Sequence, residues 1–322
     1  MSPTAVDDTI GQDHVLVSRR LRKGRNMGNI ICQDVCKKYK ENEVLDHVNL
    51  TIDEGKIYGL IGRNGAGKTT LLSIMSAQNP VTSGQVTVDG MPVWENEKAL
   101  ANICFSRELG ANTINGANTL KVKDYLRCGE IFYPDWDKEY ANELIDYFKI
   151  NKKLAINKLS KGMMSMVTII IALASKAKYT FLDEPVAGLD VVARNDFYRL
   201  LLDEYAKTER TFIVSTHIID EASDIFEEVI IVKDKGILLK ENTVSLLERA
   251  VHVSGNAADV DEVIKAHVAA EVMETQTLGR SKGVSLLLQE GDSIKQDAQI
   301  MVQPLTLQNL FMALCREDEA HE

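Results

Sequence analysis

From Ile30 to Ile52 the apolar residues Ile31, Val35, Val44, Leu45, Val48, Leu50 and Ile52 recur in alternation or in short stretches, the pattern of strands, so a β-rich segment opens the folded region. Ile57 to Ile61 is a short apolar run ending in a glycine-rich turn, and Thr69 to Met75 then carries helical spacing. The order is strand, loop, helix. Two helical patterns flank Tyr133-Pro-Asp-Trp136 within residues 119–150, and Leu154 to Ala177 reads as one long helical stretch, which predicts an inserted helical region over about 106–176. Tyr179 to Leu182 and Thr211 to Ser215 are buried-strand candidates separated by an amphipathic helix, Val192 to Tyr205, the alternation of a parallel sheet with helices on both faces. After Ile237 to Leu239 and a helix near Thr243 to Arg249, short strands are predicted at Val251, Val272 and Val284 to Leu288. A final helix from Leu305 to Cys315 carries an apolar stripe of Leu305, Leu307, Leu310, Phe311 and Leu314. These patterns predict a main α/β domain over 29–248 and a small α+β domain over 249–322 that packs on that core, on a second copy, or on itself.

Composition adds limits. The chain has 322 residues, 45% hydrophobic and 26% charged, enough for a large core and against extensive disorder. Its formal net charge of −10 disfavours nucleic acid as the main partner. Five scattered cysteines, at 32, 36, 104, 128 and 315, include no C-x-x-C pair, so no disulfide framework or zinc site is indicated and a reducing cytoplasm fits. The longest strongly apolar run, Val167 to Ala174, is far short of the roughly 20 residues that a membrane helix needs. Residues 1–28 read as a flexible extension in which Arg19, Arg20, Arg22, Lys23 and Arg25 are either a solvated tail or a contact for anionic lipid.

The candidate chemistry begins at Gly62-Arg-Asn-Gly-Ala-Gly-Lys68-Thr69, which fits G-x-x-x-x-G-K-[ST] and sits between a predicted strand and a predicted helix, as that motif requires. Glycines permit a backbone nest whose N–H groups converge on phosphate oxygens, and the helix N-terminus adds positive potential. Lys68 neutralises β- and γ-phosphates, and the Thr69 hydroxyl is a candidate Mg²⁺ ligand. The candidate nucleotide-binding set is Gly62, Asn64, Gly65, Ala66, Gly67, Lys68, Thr69 and Thr70. Tyr179-Thr-Phe-Leu-Asp183-Glu184 is an apolar strand ending in two acids, Asp183 to hold Mg²⁺ through water and Glu184 to polarise an attacking water. His217 follows the strand Thr211 to Ser215, at the carboxyl edge of the sheet where parallel sheets bind ligands.

Together with Leu159-Ser160-Lys161-Gly162-Met163, these pieces resemble the ATP-binding subunit of an ABC transporter, over about residues 29 to 248. The resemblance implies a P-loop NTPase core with a mostly parallel sheet, an antiparallel β subdomain and an inserted helical subdomain. It implies ATP and Mg²⁺ as cofactors, Leu159 to Met163 as the signature that completes the site of a second copy, and Asp190 as the loop that bridges two subunits. His217 falls where a switch histidine touches the γ-phosphate, and Tyr39 where a ring stacks on adenine. In Lys37-Lys-Tyr-Lys40, however, Tyr39 equally reads as a strand cap.

Two departures from the family pattern stand out. The usual glutamine at the junction with the helical region is Glu108, still a candidate Mg²⁺ ligand, and the first signature glycine is Lys161. The resemblance further implies a cytoplasmic ATPase at the inner face of the membrane, a homodimer for preference, docked on a separate permease. The signature and Val186-Ala-Gly-Leu-Asp190 look like those of bacterial peptide, lantibiotic-immunity or drug exporters. The rival is a soluble relative acting in DNA repair, chromosome organisation or translation. Such relatives usually carry a long coiled coil between phosphate loop and signature, zinc modules or two cassettes, and the sequence shows none of these.

Overall fold

The computed structural model describes residues 28–107, 120–296 and 299–316, so the basic cluster at 19–25 and Glu108 lie outside the described residues. Strands β1 (Asn29–Tyr39) and β2 (Asn42–Asp53) form an antiparallel hairpin. It is followed by β3 (Ile57–Ile61) and helix α1 (Lys68–Met75). With β4 (Ser83–Val88) and the short β5 (Met91–Pro92), the hairpin makes an antiparallel sheet of order β2-β1-β4-β5. One-turn helix α2 (Glu97–Leu100) leads into β6 (Ile103–Arg107).

The helical region contains α3 (Val122–Phe132), α4 (Lys138–Tyr147) and α5 (Lys161–Ala174). The chain then alternates through β7 (Tyr179–Asp183), α6 (Val191–Thr208), β8 (Thr211–Thr216), α7 (Ile219–Ala222), β9 (Glu228–Lys233), β10 (Gly236–Asn242) and α8 (Thr243–Arg249). These strands form the central sheet, order β10-β9-β3-β8-β7-β6, parallel from β9 to β6 with β10 antiparallel at one edge.

Alternation along the buried strands divides their side chains between two cores. Tyr58 and Leu60 of β3, Phe181 of β7, Ile213 of β8 and Ile230 of β9 meet Leu71, Ile74 and the inner face of the antiparallel sheet. Ile57, Ile61, Leu182, Val214 and Ile231 point the other way, into the helical layer. Because both faces are covered, these strands read as continuous apolar runs.

The long helix expected over Leu154 to Ala177 is shorter. Ile156–Lys158 is a single 3₁₀ turn, Leu159 and Ser160 are extended, and the helix begins only at Lys161. The reason is local: the Ser160 hydroxyl accepts from the Met163 backbone N–H at 3.2 Å, an N-cap that stops the helix from extending backwards. At the other end of α5, buried Arg210 donates to the Leu173 carbonyl at 2.8 Å and the Ala177 carbonyl at 3.2 Å, and pairs with buried Glu204 at 3.3 Å. The helix that begins at Lys161 is therefore fixed at both ends.

From Ala250 a third sheet forms. Strands β11 (Ala250–Asn256), β12 (Glu271–Leu278), β13 (Ser281–Leu287) and β14 (Ile300–Pro304) pair antiparallel in the order β12-β13-β11-β14. Helix α9 (Ala257–Ala266) covers one face through Val260, over Val253, Val284 and Leu286. The last helix, α10 (Leu307–Cys315), is capped by the Thr306 hydroxyl, which accepts from the Asn309 N–H. Its Leu307, Leu310, Leu314 and Cys315 join the helical-layer core of the main sheet.

Candidate functional site

The phosphate-loop motif occupies the connection from the carboxyl end of β3 to the start of α1. Gly67 precedes the helix with φ 104°, a left-handed conformation that a side chain resists, and a Cβ there would lie 2.8 Å from Leu45. The N-terminal turn of α1, with its unpaired N–H groups, thus faces the loop. Lys68 is buried, and its ammonium donates to the carbonyl of Gly62 at 2.7 Å and of Arg63 at 3.3 Å. Burial pushes the Lys68 pKa down, while the carboxylates of Glu184 and Asp183 push it up; the burial effect is the larger.

Parallel pairing of β7 with β8 sets Asp183 opposite Ser215. The Asp183 carboxylate accepts from Thr69 Oγ1 at 2.7 Å on one oxygen and from Ser215 Oγ at 2.5 Å on the other. Glu184 follows with φ 49°, rare for a residue with a long side chain, and its N–H is held by Ser215 Oγ and by the Ser215 carbonyl, each at 3.1 Å. Just past β8, His217 Nδ1 lies 2.7 Å from Glu184 Oε2; with the carboxylate ionised, Nδ1–H is the donor. Lys68, Thr69, Asp183, Glu184 and His217 therefore form one constellation along the carboxyl edge of the parallel sheet.

The family model for ABC transporters matches residues 45–187. In sequence, the chain is 30% identical over 206 residues to the ABC transporter ATP-binding protein YtrB of Bacillus subtilis (strain 168), covering 64% of this chain and 69% of that protein. This chain belongs to the family of ABC transporter ATP-binding subunits. The ATPase domain of such subunits hydrolyses ATP, and this chain is an ATPase. Other relatives are the petrobactin import ATP-binding protein YclP of B. subtilis (28% identity, 77% of this chain, 97% of that protein) and the bacitracin transport ATP-binding protein BcrA of Enterococcus faecalis (29%, 76% and 77%). Among solved structures, the dimeric post-hydrolysis state of the ATP-binding cassette MJ0796 bound to ADP and Pi has the same fold, with TM-score 0.59 and 24% identity over 66% of this chain and 98% of that one.

In this ABC subunit Leu159 to Met163, the expected signature, lie at the N-cap and first turn of α5, with Ser160 and Lys161 exposed. It sits beside the loop ahead of Asp190, since Ser165 Oγ donates to the Ala187 carbonyl at 2.9 Å. Asp190 is exposed and caps α6, accepting from the Ala193 N–H at 2.9 Å. Tyr39 ends β1 opposite Asn42, where it is partly exposed; its hydroxyl accepts from Asn79 at 2.6 Å and the Lys37 ammonium lies 4.7 Å from its ring centre. Tyr39 is thus both a strand end and an available ring.

Ser215, which holds Asp183 and Glu184, is not among the residues that the sequence pattern marks. A hydroxyl at the end of the strand next to β7 is the signal that points to it, but it becomes visible only when strand order is known.

Proposed function

We propose that this chain hydrolyses ATP to energise export through a separate membrane permease, working as a homodimer at the inner face of the membrane. Residues 29–248 carry the ATPase and 249–322 form an accessory unit. The observation that supports this reading best is the Glu184 carboxylate, fixed in left-handed backbone between Asp183 and His217 at the mouth of the phosphate loop. In this reading Glu184 polarises the attacking water, His217 orients Glu184 and meets the γ-phosphate, and Lys68 offsets phosphate charge. The loop from Gly62 to Thr70 cradles the phosphates, and Tyr39 stacks on adenine.

Mg²⁺ fits the oxygen donors gathered here. Thr69 and Asp183 would hold it, with Ser215 orienting the carboxylate; Glu108, outside the described residues, is the further candidate ligand. It would supply neutralisation of β- and γ-phosphate charge. Glu108→Gln removes one negative charge beside the ion, so ATP binding is expected to stay nearly intact while the metal requirement shifts. A Mg²⁺ titration of hydrolysis that matches the wild type would show that Glu108 does not act there.

Exposed Ser160, Lys161 and Asp190, all at helix starts, support a second copy closing over the nucleotide. Ser160→Arg places bulk and charge where that copy's phosphates would lie. The expected result is a monomer that binds ATP as the wild type does but has lost ATP-induced dimerisation, measured by light scattering, and about 100-fold or more of its turnover. Dimerisation on ATP at wild-type strength would overturn the two-subunit site.

Among the described residues no helix is long and apolar enough to cross a membrane. At the end of α3, Ile131 and Phe132 are 70% and 74% exposed, apolar surface on the helical region that suits docking on a permease. Phe132→Asp is expected to leave ATP binding unchanged and to move the protein from the membrane fraction of its native cells to the supernatant; unchanged sedimentation with membranes would count against this docking face. The export direction rests on the signature and on Val186 to Asp190. Transport in vesicles with the native permease tests it, and inward movement of cargo on ATP addition would reverse it.

A further inference from the structure

Helix α10 leaves its own sheet and ends beside the phosphate loop. Its apolar side chains share a core with Ile61, the last residue of β3, and it packs against α7, which begins two residues after His217. At its carboxyl end, the Lys233 ammonium of β9 donates to the Leu314 carbonyl at 2.9 Å. A lysine placed there satisfies one of the last helix carbonyls and meets the negative end of the helix dipole.

The residue before Lys233 touches the loop itself. A Cβ on Gly62 would lie 2.8 Å from the Val232 carbonyl and 3.4 Å from the Val232 side chain, so the first residue of the phosphate loop rests directly on β9. The next loop residue, Arg63, lines a cleft with Phe311, Cys315 and Arg316 from the end of α10. Lys233 thus joins the end of α10 to the strand that backs Gly62, while the body of α10 contacts the segment that follows His217.

We propose that Lys233 is a positioning residue of the nucleotide site: by clamping α10 to β9 behind Gly62, it couples the C-terminal sheet to the phosphate loop and sets the affinity for ATP. Coupling of this kind is reciprocal, so ATP binding steadies α10 by the same factor by which docked α10 favours ATP. The inference rests on the phosphate loop binding ATP, and the wild-type titration checks that separately.

The test uses the full chain. Lys233→Met keeps most of the stem and removes the donor; Lys233→Arg keeps a donor; Thr306→Val removes the cap at the other end of α10 without touching β9. Lys233→Met is expected to raise the Kd and KM for ATP by about two- to tenfold, the range a single hydrogen bond gives, with kcat within about twofold. Lys233→Arg restores the affinity, and Thr306→Val shifts it in the same direction as Lys233→Met. In the wild type, ATP slows hydrogen exchange of the amides of residues 307–315, and in Lys233→Met this slowing shrinks. If the wild type binds ATP while both Lys233→Met and Thr306→Val match it in Kd and KM, or if ATP leaves α10 exchange unchanged in the wild type, the inference is overturned. A kcat loss as large as the KM change would also overturn it, since that is not a positioning effect on binding.

Discussion

Glu184→Gln keeps ATP and loses turnover, by about 10²- to 10⁴-fold, the range a positioned general base contributes. Gln has the same shape, and its amide oxygen still accepts from His217 Nδ1–H across the 2.7 Å contact. The backbone at residue 184, held by Ser215, does not depend on the charge of the side chain. What disappears is the ability to draw a proton from water. Since Lys68 and the loop amides are untouched, nucleotide affinity stays within a few-fold of the wild type. If two copies close over ATP as proposed, the variant should accumulate as an ATP-bound dimer, because the γ-phosphate contacts between them would not be released. Phosphate release and light scattering with ATP check the two halves of this expectation. Loss of ATP binding in step with turnover would show that Glu184 serves the ground-state site and not the attacking water.

The parts of the site that were legible in the sequence are those coded by contiguous residues. The phosphate loop is a local device: a buried strand, glycines with positive φ, a lysine and a helix start follow one another, and β3 and α1 appear where the pattern put them. The same holds for β7 and its two terminal acids, and for β8, which gains only Thr216 over its predicted span. Alternation in residues 30–52 likewise reads as strands, and the structure pairs them as the β1–β2 hairpin. One failure is local and the others lie in contacts between segments. Ile156 and Leu159 are three apart, as on one face of a helix, yet the Ser160 cap one residue later decides where the helix starts. Ser215 acquires its role only because β8 lies beside β7, a neighbour relation that local pattern does not carry. For α10 the sequence shows the stripe but not the surface it covers, since its union with Ile61, Ile219 and Ile231 is a property of packing.

Lys68→Ala gives the opposite signature, with nucleotide lost first. The Lys68 side chain is buried, and its ammonium is held by two loop carbonyls next to Asp183 and Glu184. The Asp183 and Glu184 carboxylates gather at this edge of the sheet, and in the proposed site Lys68 is the cation that would meet the ATP phosphates beside them. A hydrogen bond to a charged group contributes about 1.5–3 kcal/mol, so losing one such contact with phosphate weakens ATP binding by roughly 10- to 150-fold. The unpaired like charges of Asp183, Glu184 and ATP add to that loss. Thermal unfolding with and without nucleotide separates this effect from damage to the fold. At about 100 times its Kd, ATP stabilises the wild type by about 2.7 kcal/mol through binding alone. The same ATP concentration should leave Lys68→Ala only about 0.3–1.4 kcal/mol of that stabilisation, while Glu184→Gln keeps most of it. An ATP-induced shift in Lys68→Ala equal to that of the wild type would mean that the loop amides hold the phosphates without it, and the role given to Lys68 would fall.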